Sequence, residues 1–252
     1  IGRESYTPYQ KVERPQEILT IANQILGKNQ LSLAKYLFIA ATEDNPNLDI
    51  HHVEQFFTHI LERIDFARDL HFQTNTTIDT LDYTGDGLNA GSKVVFAAAG
   101  DKKVELARYL PANLDLPRPF DKAKLALPGI MVVQGAKFES YTNEQRVLAE
   151  WTSAAKDIAF EGIKMIVLVE DVDFAAANEN NFVWETFTKS NPAYDIYGIR
   201  SFNRFKHWGC DGPLIIDARR KPHHAPDLIK DQEVERRIDR LFAPGGSLHG
   251  IA

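Results

Sequence analysis

The sequence is poor in sulfur. It has one cysteine, Cys210, and two methionines. A lone cysteine excludes a disulfide framework and a cysteine-based zinc site. No apolar run approaches the ~18 residues a membrane helix needs, so no transmembrane segment is expected. Runs such as 94–100 have the length of buried strands. There is no basic excess: the formal net charge is −6, which argues against a general nucleic-acid binder. The spacings G-x-x-x-x-G-K-[ST], G-x-G-x-x-G and H-E-x-x-H are all missing, so no nucleotide loop or zincin helix is signalled. The 252 residues, 44% hydrophobic and 25% charged, suffice for one or two domains with a sizeable core. The composition fits a cytoplasmic protein.

Apolar periodicity and breakers give alternating elements. The expected helices are 16–26, with Pro15 at its first position and Gly27 as its stop, then 51–64, one from Asn143, one capped by Asp173 that carries Phe182, Val183 and Phe187, and one carrying Val234, Ile238 and Leu241. The expected strands are 36–41, 70–74, 93–99, 130–134, 164–169, 196–199 and 214–216. Such alternation predicts α/β layers with largely parallel or mixed sheets. Strands buried on both faces explain unbroken apolar runs such as 165–169.

The sequence also resembles itself. Lys35 before 36–39 matches Lys164 before 165–168, and both strands have acidic exits, Glu43-Asp44 and Glu170-Asp171. Segment 56–69 lies on 182–195 without a gap, so that Arg63 meets Lys189, Ala67 meets Ala193 and Asp69 meets Asp195. Gly91-Ser92-Lys93 stands beside Gly212-Pro213-Leu214, and 2–6 resembles 135–141. So long a period indicates an internal duplication of two α/β units. The expected organisation is a first unit over 1–110, a linker over 111–127, a second unit over 128–244 and a flexible tail over 245–252. The strand 130–134 precedes Gly135, whereas only Ile1 precedes Gly2. The first unit is therefore expected to be cut inside its first strand, with Ile1 not a natural start.

Several residues are candidates for chemistry. His51 and His52 with Glu54 read as a solvated pair at a helix start, because adjacent positions do not share a helix face. His207, His223 and His224 lie near Asp211 and Asp217 in the sequence, and a His–carboxylate metal site there is chemically possible. Glu170, Asp171 and Asp173 follow a strand at the end where open sheets bind ligands, although a helix cap explains Asp173 equally. Gly100-Asp101-Lys102, and Gly85, Gly87 and Gly91, read as turns. Cys210 with His207 is a nucleophile candidate, against an inert buried thiol. Asp217 ends a buried strand before Arg219, Arg220 and Lys221, and is read as pairing with one of them or capping a turn. No residue is assigned as catalytic, cofactor-binding or metal-binding.

The stretch 207–221, with its Gly212, apolar strand, Asp217-Ala218 and basic Arg219-Arg220-Lys221, resembles the end of UbiD-type decarboxylases. The acidic exit 169–173 and the closing stretch of Asp231, Val234, Ile238 and Asp239 resemble the same family. In the first unit, 33–39, 81–83 and 91–93 repeat the signature, with Ala97 where the second has Asp217. The resemblance covers most of the chain as a duplicated carboxy-terminal domain. It implies a reversible carboxy-lyase acting on aromatic or α,β-unsaturated acids, such as a 4-hydroxybenzoate derivative, in ubiquinone-biosynthesis-like chemistry. It further implies prenylated FMN, a divalent metal (Mn2+) and K+, with a Glu-Arg-Glu set in an earlier flavin-binding domain that no segment here matches. This portion is expected to be inactive alone, to pack against its own amino-terminal flavin-binding domain, to close the cleft and to form a homo-oligomer. The alternative is a free-standing α/β binding or assembly module. A small metal-dependent hydrolase using Glu170, Asp171 and the second-unit histidines is the weakest reading.

Overall fold

A computed structural model describes residues 18–112, 114–120, 122–226 and 231–251. Pro15, Gln16, Ile1 and the 2–6 segment lie outside these residues, so the helix start and the truncated strand read there do too.

The first half contains α1 (Ile18–Leu26), β1 (Tyr36–Ala40), α2 (Val53–Leu61), β2 (Leu70–Thr77) and β3 (Ala90–Ala98). The second contains β4 (Ala123–Leu127), β5 (Ile130–Gln134), α3 (Tyr141–Ala154), β6 (Met165–Val169), α4 (Val172–Ala175), α5 (Glu179–Thr188), α6 (Pro192–Asp195), β7 (Ile196–Gly198), β8 (Ser201–Arg204), β9 (His207–Cys210) and β10 (Leu214–Asp217). The helix α7 (Gln232–Phe242) closes the chain. The fold class is α/β with mixed sheets.

The first sheet has the order β1-β3-β2, with β1 parallel and β2 antiparallel to β3. The second has the order β4-β5-β6-β10-β7. Within it β5 is parallel to β6 and β6 to β10, while β7 is antiparallel to β10. The strands β6-β10-β7 thus repeat the order and directions of β1-β3-β2. Val94 donates its N–H to the Lys35 carbonyl as Leu214 does to that of Lys164, at 3.0 and 2.9 Å. This backbone register equates Val94 with Leu214 and Ala97 with Asp217. It places Ser92, not Gly91, opposite Gly212, one residue away from the sequence match.

Strand alternation sorts the apolar residues into layers. Leu37, Ile39, Val95 and Ala97 face α1 and its Ile18, Ala22 and Leu26. Met131, Val133, Ile166, Leu168 and Ile215 face α3 through Leu148 and Trp151. The opposite strand faces share one core: Tyr36, Phe38, Val94 and Phe96 from the first sheet, and Val132, Met165, Val167, Leu214 and Ile216 from the second. Aromatic rings fill its centre. Phe38 stacks on Phe96 at 4.3 Å between centroids, and Phe57 on Phe187 at 6.1 Å. Burying each such ring contributes roughly 1.5–3 kcal/mol.

Three details depart from the sequence reading. Part of the stretch read as linker, Ala123–Leu127, is a strand paired antiparallel with β5. A hairpin, β8–β9, lies where no element was read. The one helix read after β6 is two: α4, capped by Asp171, whose carboxylate accepts the N–H groups of Asp173 and Phe174, and α5, which carries Phe182, Val183 and Phe187 and is capped by Asn178 rather than by Asp173. Asp173 instead pairs with Lys124 at 2.6 Å and Lys122 at 3.3 Å.

Candidate functional site

The carboxyl end of β10 delivers Asp217 into a fully buried setting. Arg219 follows two residues later and folds back on it. Its Nε donates to Asp217 Oδ1 at 2.9 Å and its Nη2 to Oδ2 at 2.7 Å. The same guanidinium reaches Glu144 Oε2 of α3 at 2.7 Å and the Ala136 carbonyl at 3.0 Å. Phe120 and Phe138 lie against the guanidinium plane. Such a fork, paired on both sides, is what a buried arginine needs to offset its desolvation.

Lys221 continues the cluster. Its ammonium pairs with Asp195 at 3.1 Å and donates to the Lys189 carbonyl at 3.0 Å and to the Asp217 carbonyl. Asp195 also accepts the Asn191 N–H at 2.6 Å. Burial pushes the Asp195 carboxyl up to about 6, against the lowering pull of Lys221. Across the seam, Lys35 before β1 pairs with Asp82 at 2.7 Å and donates to Thr84 Oγ1 at 2.8 Å. Burial pulls the Lys35 ammonium below its ordinary range even beside Asp82. Tyr36 and Ser190 share a 2.7 Å hydroxyl bond, Ser92 Oγ donates to Asn191 Oδ1, and the Ala193 N–H donates to Ser92 Oγ at 2.8 Å. The Tyr36–Ser190, Ser92–Asn191 and Ala193–Ser92 bonds tie the two halves of the chain together beside these ion pairs.

The opposite end of the seam has a related cluster. Asp69 accepts the Asp65 N–H at 2.9 Å and lies 3.8 Å from Lys103, which also donates to the Arg63 carbonyl. Lys164 sits over the Phe66 ring, and Cys210 donates its N–H to the Phe66 carbonyl at 3.4 Å. Gly209 is needed here, because a Cβ would lie 2.8 Å from that carbonyl oxygen and 2.9 Å from Ala67 Cα.

The structure separates the second-unit histidines. His207 faces His71 of β2, with ring centroids 5.9 Å apart, beside a cavity of about 580 Å³ that Trp208 and Phe72 also line. His223 and His224 lie near Tyr141 instead. His224 Nδ1 accepts the Lys221 N–H, and burial pulls its ring down to about 3, with Lys221 and His223 adding to the shift. Among the described residues, no three His, Cys, Asp or Glu side chains are placed to hold a metal. His51 and His52 are exposed beside Asp49, ahead of α2. Cys210 and His207, three residues apart on β9, point to opposite faces of the ribbon. Burial pushes the Cys210 thiol up to about 12, which is the reverse of nucleophile activation. Gly100 has φ +95° and donates its N–H to Asp44, so it serves a turn.

Sequence reasoning singled out Asp217 and its basic followers. It missed Glu144, Asp195, Lys35, Asp82 and Thr84 as their company. The matched pairs Lys35/Lys164 and Asp69/Asp195 were the available signal, since charged residues repeated beside buried strands require partners.

Among known proteins, residues 8–98 match the model of the 3-octaprenyl-4-hydroxybenzoate carboxy-lyase C-terminal domain, UbiD_C. An uncharacterized protein of Chlamydia trachomatis is 30% identical over 227 residues, which are 88% of this chain and 36% of that protein. A Chlamydia pneumoniae protein described as a subunit of 4-hydroxybenzoate decarboxylase is 30% identical over 231 residues, 90% of this chain and 36% of that protein. The open form of Sedimentibacter hydroxybenzoicus vanillic acid decarboxylase is 14% identical, with 67% of this chain and 43% of that chain covered at a TM-score of 0.30. The chain spans about 36% of the length of these curated relatives. The chain thus carries, over residues 8–98, a match to the carboxy-terminal domain of the UbiD-type decarboxylases, and it is similar over most of its length to part of a protein described as a decarboxylase subunit.

Proposed function

We propose that the chain is the carboxy-terminal portion of a carboxy-lyase that reversibly decarboxylates an aromatic or α,β-unsaturated acid, a 4-hydroxybenzoate derivative being the expected class. Within that enzyme it serves oligomerisation and cleft closure, and the bond-breaking chemistry belongs to an amino-terminal flavin-binding domain. The observation that carries this reading is the mutual engagement of the buried charges. Asp217, Arg219 and Glu144 are consumed by one another, as are Lys221 and Asp195. A general acid or base needs a free face toward substrate, and these groups spend theirs on one another. The Chlamydia pneumoniae relative, itself described as one subunit of a decarboxylase, adds support for a partner chain.

Prenylated FMN with Mn2+ and K+ is the cofactor set proposed for the whole enzyme. The described residues do not fit it: they offer no three-ligand donor set for the metal. We therefore place that set on the flavin-binding domain and route no step through this chain.

The test is an assay of 14CO2 exchange into 4-hydroxybenzoate derivatives. It compares the full-length protein loaded with prenylated FMN, Mn2+ and K+ with the Ile1–Ala252 chain alone. Exchange by the full-length protein only is the expected result. Exchange by the 252-residue chain, or by neither protein across a panel of aromatic acids, overturns the reading.

A further inference from the structure

We propose that the outer edge of β1 is the docking site for a short apolar strand supplied by the protein's own chain upstream of Ile1, laid parallel to β1 as β5 lies parallel to β6. The inference rests on reading the chain as part of a longer protein, and not on its decarboxylase activity.

β1-β3-β2 and β6-β10-β7 share order and direction, and Tyr36 corresponds to Met165. In the second sheet, β6 has a further neighbour. Ile130 to Val133 pair with Met165 to Leu168 in parallel, and all four are fully buried. In the first sheet, β1 pairs with β3 alone among the described residues.

A groove of about 690 Å³ runs along β1, walled by Ile21 and Ile25 of α1 on one face and by Phe56 and Phe57 of α2 and Phe187 of α5 on the other. It therefore has apolar walls on both faces of the sheet plane, as the slot holding β5 does. Its charged lining residues, Lys35 and Asp82, neutralise each other. The occupant these walls favour is apolar on both faces, like Ile130 to Val133.

Edge strands that face water are blunted by lysines, prolines or bulges. The β1 sequence is Tyr-Leu-Phe-Ile-Ala, in unbroken register with β3. Lys35 and Ala41 bond toward β3. Alternation then turns the backbone groups of Tyr36, Phe38 and Ala40 toward the outer edge. Among the described residues these outward groups have no strand partner; amides left so beside apolar walls are costly, and a parallel strand satisfies them.

The source of the strand follows from the chain order. In the second half, β5 directly precedes Gly135 and α3. The sequence match of 2–6 with 135–141 puts the counterpart of β5 ahead of Gly2, and the relatives are about two and a half times as long as this chain.

Amide hydrogen exchange tests the proposal on two proteins, the full-length chain and Ile1–Ala252. The Phe38 and Ala40 amides should exchange about 100-fold more slowly in the full-length protein, with Phe96 at the sheet centre equally protected in both. Equal exchange of Phe38 and Ala40 in the two proteins overturns the proposal. So does protection in the short chain that grows with protein concentration, which would make a second copy the occupant. A natural reading frame with no residues ahead of Ile1 overturns it as well. Failure of the carboxy-lyase assay leaves the exchange result standing, so the two readings fail separately.

Discussion

Asp69 and Asp195 share two contacts in the two halves of the chain, and Asp69 adds a bidentate pair with Arg68 at 2.5 and 3.0 Å. Each accepts the N–H of the residue four before it, Asp65 in one case and Asn191 in the other. Each also faces a lysine that donates to a carbonyl six residues before the aspartate, Lys103 to Arg63 and Lys221 to Lys189. The two lysines differ in exposure. The Lys221 side chain is 0% exposed and that of Lys103 is 40% exposed.

That difference sets the first prediction. Asp195→Ala strands a lysine with no access to water and should cost about 3–5 kcal/mol. Asp69→Ala leaves Arg68 and Lys103, both of which water can reach, and should cost less. Urea unfolding of both variants checks the order, and an equal or reversed ranking contradicts it.

Arg219 holds two carboxylates at once. Arg219→Met would leave Asp217 and Glu144 buried, close and unpaired, at a cost of about 3–5 kcal/mol. Arg219→Lys keeps the charge but not the fork, so it should recover only part of the loss. Thermal melts of the three proteins should rank wild type, lysine, methionine.

His59 gives a pH dependence. It is 5% exposed, and its imidazole is pulled down to about 4 by burial, with Arg63 adding to the shift. The unfolded chain takes up a proton near pH 6.5 that the folded chain refuses until about pH 4. Stability from this residue is therefore complete above 6.5 and falls as the pH drops, by up to about 1.4 kcal/mol per unit. His59→Gln should flatten the slope of the urea midpoint between pH 6.5 and 4.5. An unchanged slope contradicts the assignment.

Cys210 should resist thiol reagents in the folded protein. With the thiol pushed up to about 12 and the residue 2% exposed, labelling by a disulfide reagent at pH 8 should proceed at the unfolding rate. Labelling within seconds under native conditions would show an open, activated thiol instead.

The helix α7 carries Val234, Ile238 and Leu241 along one face, each between 42% and 47% exposed. If the chain serves oligomerisation, Val234→Glu with Ile238→Glu should lower the mass measured by light scattering. The unfolding free energy of the 252-residue chain, from urea titration, should change by no more than about 0.5 kcal/mol. An unchanged mass removes this face from the assembly.

Periodicity alone located β1, β3, β5, β6, β10, α2, α3 and α7 to within a few residues, because each joins a clear apolar period to a cap or breaker. β4 was hidden, since Ala-Lys-Leu-Ala-Leu is short and follows a stretch with three prolines. The β8–β9 hairpin turns through Phe205 and Lys206 at positive φ, without the Asn-Gly or Asp-Gly pair that would have announced it. The antiparallel directions of β2 and β7 are not encoded in a hydrophobic pattern. The polar seam escaped for a different reason. Tyr36 meets Ser190 across 154 residues and Ser92 meets Asn191 across 99, separations at which local spacing carries no information.

The shared core has a consequence for how the chain comes to be folded at all. Phe96 and Ile60 from one half, and Met165 and Leu214 from the other, bury their surfaces in the same cluster. Neither half completes an interior on the ribosome before the other emerges. The contacts that seal it join distant parts of the chain, which slows folding through loop-closure entropy. During synthesis the first sheet must wait with its aromatic face bare, an interval in which a chaperone has something to hold.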